Sequence, residues 1–88
     1  MKCILLVDDH PILREGLRRL ISAESGLSVC GVAGSVQEAL SLVESEGPDL
    51  IVTDLTLPGR NGLELIKDLV SIYPTLPILV LSMHDEMA

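Results

Sequence analysis

Aromatic side chains are almost missing from this chain, which has one tyrosine, Tyr73, and no tryptophan or phenylalanine. With 48% of its 88 residues hydrophobic, its core must be aliphatic, and it is too apolar to stay disordered. Basic residues are few as well: six Lys and Arg against 13 Asp and Glu leave a net charge of −7. That balance argues against nucleic-acid binding by these residues, because phosphate backbones are held by an excess of Lys and Arg. No apolar run reaches the roughly 20 residues that cross a bilayer. Met1-Lys2 leads directly into an apolar stretch, so neither a signal peptide nor an anchor is read, and the cytosol is the expected compartment. The two cysteines, Cys3 and Cys30, lie far apart, with no CxxC and no zinc-type Cys/His spacing. Disulfides are rare in the cytosol, so two buried free thiols are expected. A nucleotide-cradling glycine loop is also absent: there is no GxxxxGKS/T and no GxGxxG, and Gly31-Val32-Ala33-Gly34 matches neither.

What is present is organised around Leu50 to Gly62, LIVTDLTLPGRNG. Leu50 to Thr53 are apolar or β-branched without alternation, the pattern of a strand buried on both faces. That strand runs into Asp54. Pro58-Gly59 suits a turn, and Asn61 with Glu64 three residues later forms a capping-box-like pair opening a helix. A carboxylate is thereby delivered to the end of a central strand, at the mouth of a loop.

The rest of the chain has the length of one small domain. Residues 2–7 (KCILLV) predict another buried strand, ending at Asp8-Asp9. Pro11 suits the first position of a helix. Leu13, Leu17, Leu20 and Ile21 recur there at helical spacing, with Arg14, Arg18 and Arg19 expected on a solvated face. Residues 27–33 (LSVCGVA) predict a weaker strand at a sheet edge, interrupted by Ser28 and Gly31. Ser35 with Glu38 is a capping box opening a helix through about Glu44, and Gly47-Pro48 stops the chain before the Leu50 strand. Leu63, Ile66, Leu69, Val70 and Tyr73 line a third helix ended by Pro74, and residues 77–82 (PILVLS) predict a fourth strand.

The resulting order, β-α-β-α-β-α-β with short connections, implies an α/β fold: a parallel sheet with helices on both faces and right-handed crossovers. With the weak strand at the edge, the strand order is 2-1-3-4. The switch point then falls between the first and third strands, where ligands bind in open α/β sheets. The strand ends there carry Asp8, Asp9 and Asp54. Each aspartate alone is as well read as a turn or helix cap. Together, three converging carboxylates repel one another, and a hard cation such as Mg²⁺, which takes carboxylate oxygens, water and phosphate, relieves that repulsion. The pattern fits a metal that presents a phosphoryl group to a carboxylate nucleophile. His10 beside two carboxylates is a potential soft-metal ligand, but Mg²⁺ does not ask for imidazole. His10 and His84 are both expected in solvent.

On the pieces ILLVDDHPILREGL, DLIVTDLTLPGRNGLELI and PILVLSMHDE, the chain resembles the receiver domain of bacterial two-component response regulators. Within that family it is most similar to the NarL/FixJ class, whose output is a LuxR-type helix-turn-helix. The resemblance spans residues 1–88 and implies a flavodoxin-like sheet. It makes Asp54 the phosphoacceptor, Asp9 a direct Mg²⁺ ligand, and Asp8 a ligand acting largely through water. The backbone carbonyl of Thr56 would complete the metal site, and Ser82 would bond the phosphoryl oxygen. It also implies a sensor histidine kinase as phosphoryl donor and DNA contacts only through a separate helix-turn-helix domain. The family's first helix often meets the kinase, which gives Arg14, Arg18 and Arg19 a docking role as an alternative. Such a protein is not an enzyme in the ordinary sense; it promotes only its own phosphorylation and dephosphorylation.

The chain departs from the family at its far end, where a fifth strand and helix and a catalytic Lys are expected. Its only lysines are Lys2 and Lys67, neither placed for that role. The unpaired fourth strand predicts a homodimer or strand-exchanged oligomer. A second reading is therefore a receiver-like interaction or dimerisation module that does not signal. A third, a Mg²⁺-dependent phosphohydrolase, is disfavoured because Thr56 stands where such enzymes often carry a second acid.

Overall fold

The chain is described from a computed structural model covering residues 1–54 and 62–81. Strand β1 (Lys2–Val7) lies inside the sheet, and its last four residues, Ile4 to Val7, are all buried. It pairs in parallel with β2 (Leu27–Ala33) on one side and β3 (Leu50–Asp54) on the other. Strand β4 (Ile78–Leu81) pairs in parallel with β3, giving the order β2-β1-β3-β4 expected from the sequence. Three helices connect the strands: α1 (Pro11–Ser22), α2 (Val36–Glu46) and α3 (Gly62–Ile72).

Alternation along the strands divides the core in two. Leu5, Val7 and Ile51 point to one face and pack with Val36, Ala39 and Val43 of α2 and Leu65 and Leu69 of α3. Ile4, Leu6 and Val52 point to the other, where Leu17 and Ile21 of α1 cover them. Burying each of the largest of these aliphatic side chains contributes about 1.5–3 kcal/mol. An aliphatic core on both faces is what the near-absence of aromatics demanded.

The helix ends follow local chemistry. Pro11 takes the first position of α1, after His10 in extended conformation. At α2 the Ser35 hydroxyl accepts the Glu38 amide at 3.2 Å. The Glu38 carboxylate reaches back to the Gly34 amide at 2.8 Å, one residue beyond the usual capping-box partner. Helix α2 runs to Glu46, two residues past the expected Glu44, and Gly47 closes it at φ 57°, a left-handed cap that glycine adopts without a Cβ penalty. The Pro58-Gly59 turn and the Asn61 cap lie outside the described residues.

Several expectations are corrected. Leu20 is 69% exposed and Leu63 and Val70 are more than half exposed, whereas Leu65, not assigned to the core from sequence, is fully buried. Helix α3 carries apolar residues on more than one face, and the sheet takes the line Leu65–Leu69–Tyr73 at i, i+4 and i+8. Arg18 and Arg19 do lie on a solvated face, paired with Glu15 at 3.7 and 3.4 Å. Arg14 does not: its guanidinium turns inward and donates to the Asp8 carbonyl at 3.2 Å.

The largest correction concerns the cysteines. They are not free thiols but a Cys3–Cys30 disulfide, with Cα atoms 5.4 Å apart across 27 residues of sequence. Parallel pairing brings the two strands side by side, and a register shift does the rest. Ile4 stands opposite Val29 but Leu5 opposite Gly31, so Cys30 is an extra residue in β2. Leu27, Val29 and Val32 face α1, whereas Cys30 bonds Cys3 on the face shared with Leu5. Gly31 faces the same side, because a Cβ there would meet Leu5 Cδ1 at 3.2 Å and Leu42 Cδ1 at 3.4 Å. Two consecutive residues on one face are the mark of a β-bulge.

Candidate functional site

The register of the sheet builds the site. Val7 stands opposite Thr53 in β3, so Asp8 emerges level with Asp54 at the carboxyl end of the sheet. Both are nearly inaccessible, at 3% and 2% exposure, with Thr53 fully buried beside them. Asp9, one residue further, is more open, its side chain 35% exposed. Burying carboxylates is costly unless hydrogen bonds or opposite charge hold them, so two of them at one strand mouth imply a compensating group.

Part of that compensation is His10. Its amide donates to Asp8 Oδ1 at 2.6 Å. Its Nδ1 lies 3.0 Å from Asp8 Oδ1, 3.3 Å from Asp9 Oδ1 and 3.7 Å from Asp54 Oδ2. One ring nitrogen thus touches an oxygen of each carboxylate and marks the point where their charges converge. The hydrogen bond to Asp8 is the main cause raising His10 above the ordinary imidazole value. Partial burial opposes the rise, and the charges of Asp9, Asp8 and Asp54 add to it. The ring is half exposed, as the sequence reading expects of a loop histidine, but its role at the centre of the cluster was missed. Its position, directly after two strand-end acids and just before the Pro11 that starts α1, was the available signal. Arg14 was missed too. It holds the Asp8 carbonyl from the first turn of α1, and only the fold brings that turn back over the strand end.

Asp8, Asp9, His10 and Asp54 offer ligand atoms all within 4.8 Å of one another. The donor set is three carboxylates and one imidazole, and the oxygens fit a hard divalent cation with room for water. Of the residues singled out from sequence, Asp8, Asp9 and Asp54 come together; Thr56, Ser82 and His84 lie outside the described residues. Neither lysine is near: Lys2 begins β1 at the opposite end of the sheet, and Lys67 is exposed on α3.

Known proteins share this architecture. The nitrate/nitrite response regulator protein NarL of Escherichia coli (strain K12) is 42% identical over 85 residues, covering 94% of this chain and 39% of NarL. The two-component response regulator of the LuxR family from Aurantimonas sp. SI85-9A1 superposes with a TM-score of 0.90 at 42% identity, over 97% of this chain and 61% of that one. RcsB from Salmonella enterica serovar Typhimurium, solved bound to promoter P1flhDC in the presence of the phosphomimetic BeF3-, superposes at 0.88 with 28% identity, over 96% of this chain and 42% of RcsB. This chain therefore spans about two-fifths of the length of NarL and RcsB. No helix among the described residues is long and apolar enough to cross a membrane. Residues 4–88 match the response regulator receiver domain, and with four parallel strands in the order 2-1-3-4 and acids at their switch point, the chain belongs to that family, among the LuxR-type regulators.

Proposed function

We propose that this chain receives a phosphoryl group from a sensor histidine kinase on Asp54 and relays the event to a DNA-binding helix-turn-helix domain outside residues 1–88. The observation that carries the reading is the convergence of Asp8, Asp9 and Asp54 on the point marked by His10 Nδ1. Asp9 and Asp54 would hold Mg²⁺ directly, Asp8 largely through water, with the backbone carbonyl of Thr56 completing the set. When bound, Mg²⁺ offsets the charge of the carboxylates and of the incoming phosphoryl oxygens.

Asp54 is buried at the end of β3, at 2% exposure. A carboxylate oxygen of Asp54 attacks phosphorus in line with the departing imidazole. The P–N bond breaks with its electron pair returning to that nitrogen, and an acyl phosphate remains on Asp54. The chain's contribution is positioning and charge balance, so it acts on itself and not as a turnover enzyme. Ser82 binds a phosphoryl oxygen of the product. The setting proposed for the exchange is the cytoplasm.

The test is labelling by a small phosphodonor such as phosphoramidate with Mg²⁺. Asp54→Ala should lose the label entirely while the folded chain keeps its circular dichroism spectrum; a variant labelled like the parent refutes the assignment. A second reading, an interaction module that no longer signals, draws on the position of Lys2 and Lys67 away from the acids. Mg²⁺-dependent binding of beryllofluoride separates the two, being expected only of a receiver competent for phosphorylation. Leu79 and Val80 on β4 are 51% and 38% exposed, which supports a homodimer or strand-exchanged oligomer formed through that edge.

A further inference from the structure

We propose that Cys3 and Cys30 form a reversible thiol–disulfide site that clips the outer strand β2 to β1, opened by a dithiol or a low-molecular-weight thiol and closed by a small-molecule disulfide. The receiver reading uses neither sulfur, since the carboxylates sit at the far end of β1. The pair therefore stands on separate observations.

The first is how the sheet builds the pair. In uninterrupted register Cys30 would stand level with Leu5, beyond the reach of Cys3. The extra residue in β2 shifts the pairing between Ile4 and Leu5 and leaves Cys30 outside the regular register. The resulting Cα separation of 5.4 Å lies in the middle of the range that disulfides span. Bulges are uncommon in parallel pairs, and this one puts a sulfur where its partner can reach it.

The second is access. Cys3 and Cys30 are half-buried, while Leu5 and Ala33 further along the same two strands are fully buried. The strand of Cys30, β2, is one of the two outer strands among the described residues, with one strand neighbour to separate from. Cys3, in contrast, is anchored from the other side. Its amide donates to Asp49 Oδ2 at 2.7 Å, and its carbonyl accepts the Asp49 amide at 2.7 Å. The element that the clip can release is thus β2, not β1.

The third is what the closed loop contains. Residues 3 to 30 enclose Asp8, Asp9, His10 and the whole of α1. Closing a loop of this length restricts the unfolded chain and stabilises the folded one. In the opening step a reductant thiolate attacks one protein sulfur, the S–S bond breaks, and its electron pair leaves on the other sulfur, which takes up a proton. A second reductant thiol resolves the mixed disulfide. Two electrons and two protons pass to the protein, and the reductant departs as its own disulfide.

The experiment equilibrates the wild-type chain in glutathione buffers of graded ratio, traps thiols with an alkylating reagent, and reads mass, melting temperature and amide exchange. The expected result is one two-electron transition between a form with no free thiol and a form with two. The reduced form should melt lower by about 10 °C or more, with faster exchange of the Leu27–Ala33 amides. Cys30→Ser should melt like reduced wild type and ignore dithiothreitol. Thiols that stay free or become singly glutathionylated at every ratio overturn the proposal, as do equal melting temperatures for the two forms or unchanged β2 protection. The wild-type comparison stands alone if the serine variant fails to fold.

Discussion

Strand β2 is interrupted by Ser28 and Gly31, whereas β4 is Ile-Leu-Val-Leu with no polar residue, yet β2 is the better covered of the two. None of its residues is exposed, and Ala33 is buried. In β4 the two central residues are exposed. Both are outer strands among the described residues. The difference lies in their neighbours. Leu27, Val29 and Val32 of β2 lie under α1, and Gly31 admits Leu5 and Leu42 from the other side. Among the described residues, Leu79 and Val80 have no such cover. Apolar content alone does not say which side of a strand is buried; the elements packed on it do.

Three substitutions sharpen that contrast. The largest effect is expected at Gly31, where any side chain must displace Leu5 or Leu42. Gly31→Val should destabilise the chain by about 1–3 kcal/mol, read as a lower midpoint in urea at unchanged slope. A wild-type midpoint would mean the bulge relaxes freely and β2 is not held as described. Next is the helix packed on the β2 side of the sheet. Ser35→Ala removes the cap on the Glu38 amide and should cost about 1 kcal/mol, measured in the same way. The smallest change in stability belongs to β4. Leu79→Thr should stay within about 0.5 kcal/mol of wild type while lowering the apparent mass in light scattering at micromolar concentration. A large loss of stability there would show that β4 is covered after all, and an unchanged mass would remove this edge from self-association.

Much of this architecture was legible in the chain. Unbroken apolar runs at residues 3–7 and 50–53, Pro11, Ser35 with Glu38 and Gly47 mark elements whose bounds agree closely with the structure, because propensity and capping act over a few residues. The strand order followed from the weakness of residues 27–33. The convergence of Asp8, Asp9 and Asp54 followed from strand ends meeting at a switch point. Less legible was anything that depends on which face of an element meets its neighbour. Helix α3 offers Leu63, Leu65, Ile66, Leu69, Val70 and Ile72, and periodicity alone does not choose among overlapping stripes. His10 and Arg14 looked like solvated residues until α1 folded back over the end of β1.

The sequence by itself determined the alternation of strands and helices, the aliphatic character of the core, and the delivery of carboxylates to the ends of two strands, since each is set by residues adjacent in the chain. Only the tertiary structure decided that His10 Nδ1 reaches all three acids and that Cys3 bonds Cys30. Those contacts depend on strand register, in which a single inserted residue redirects a side chain to the opposite face of the sheet.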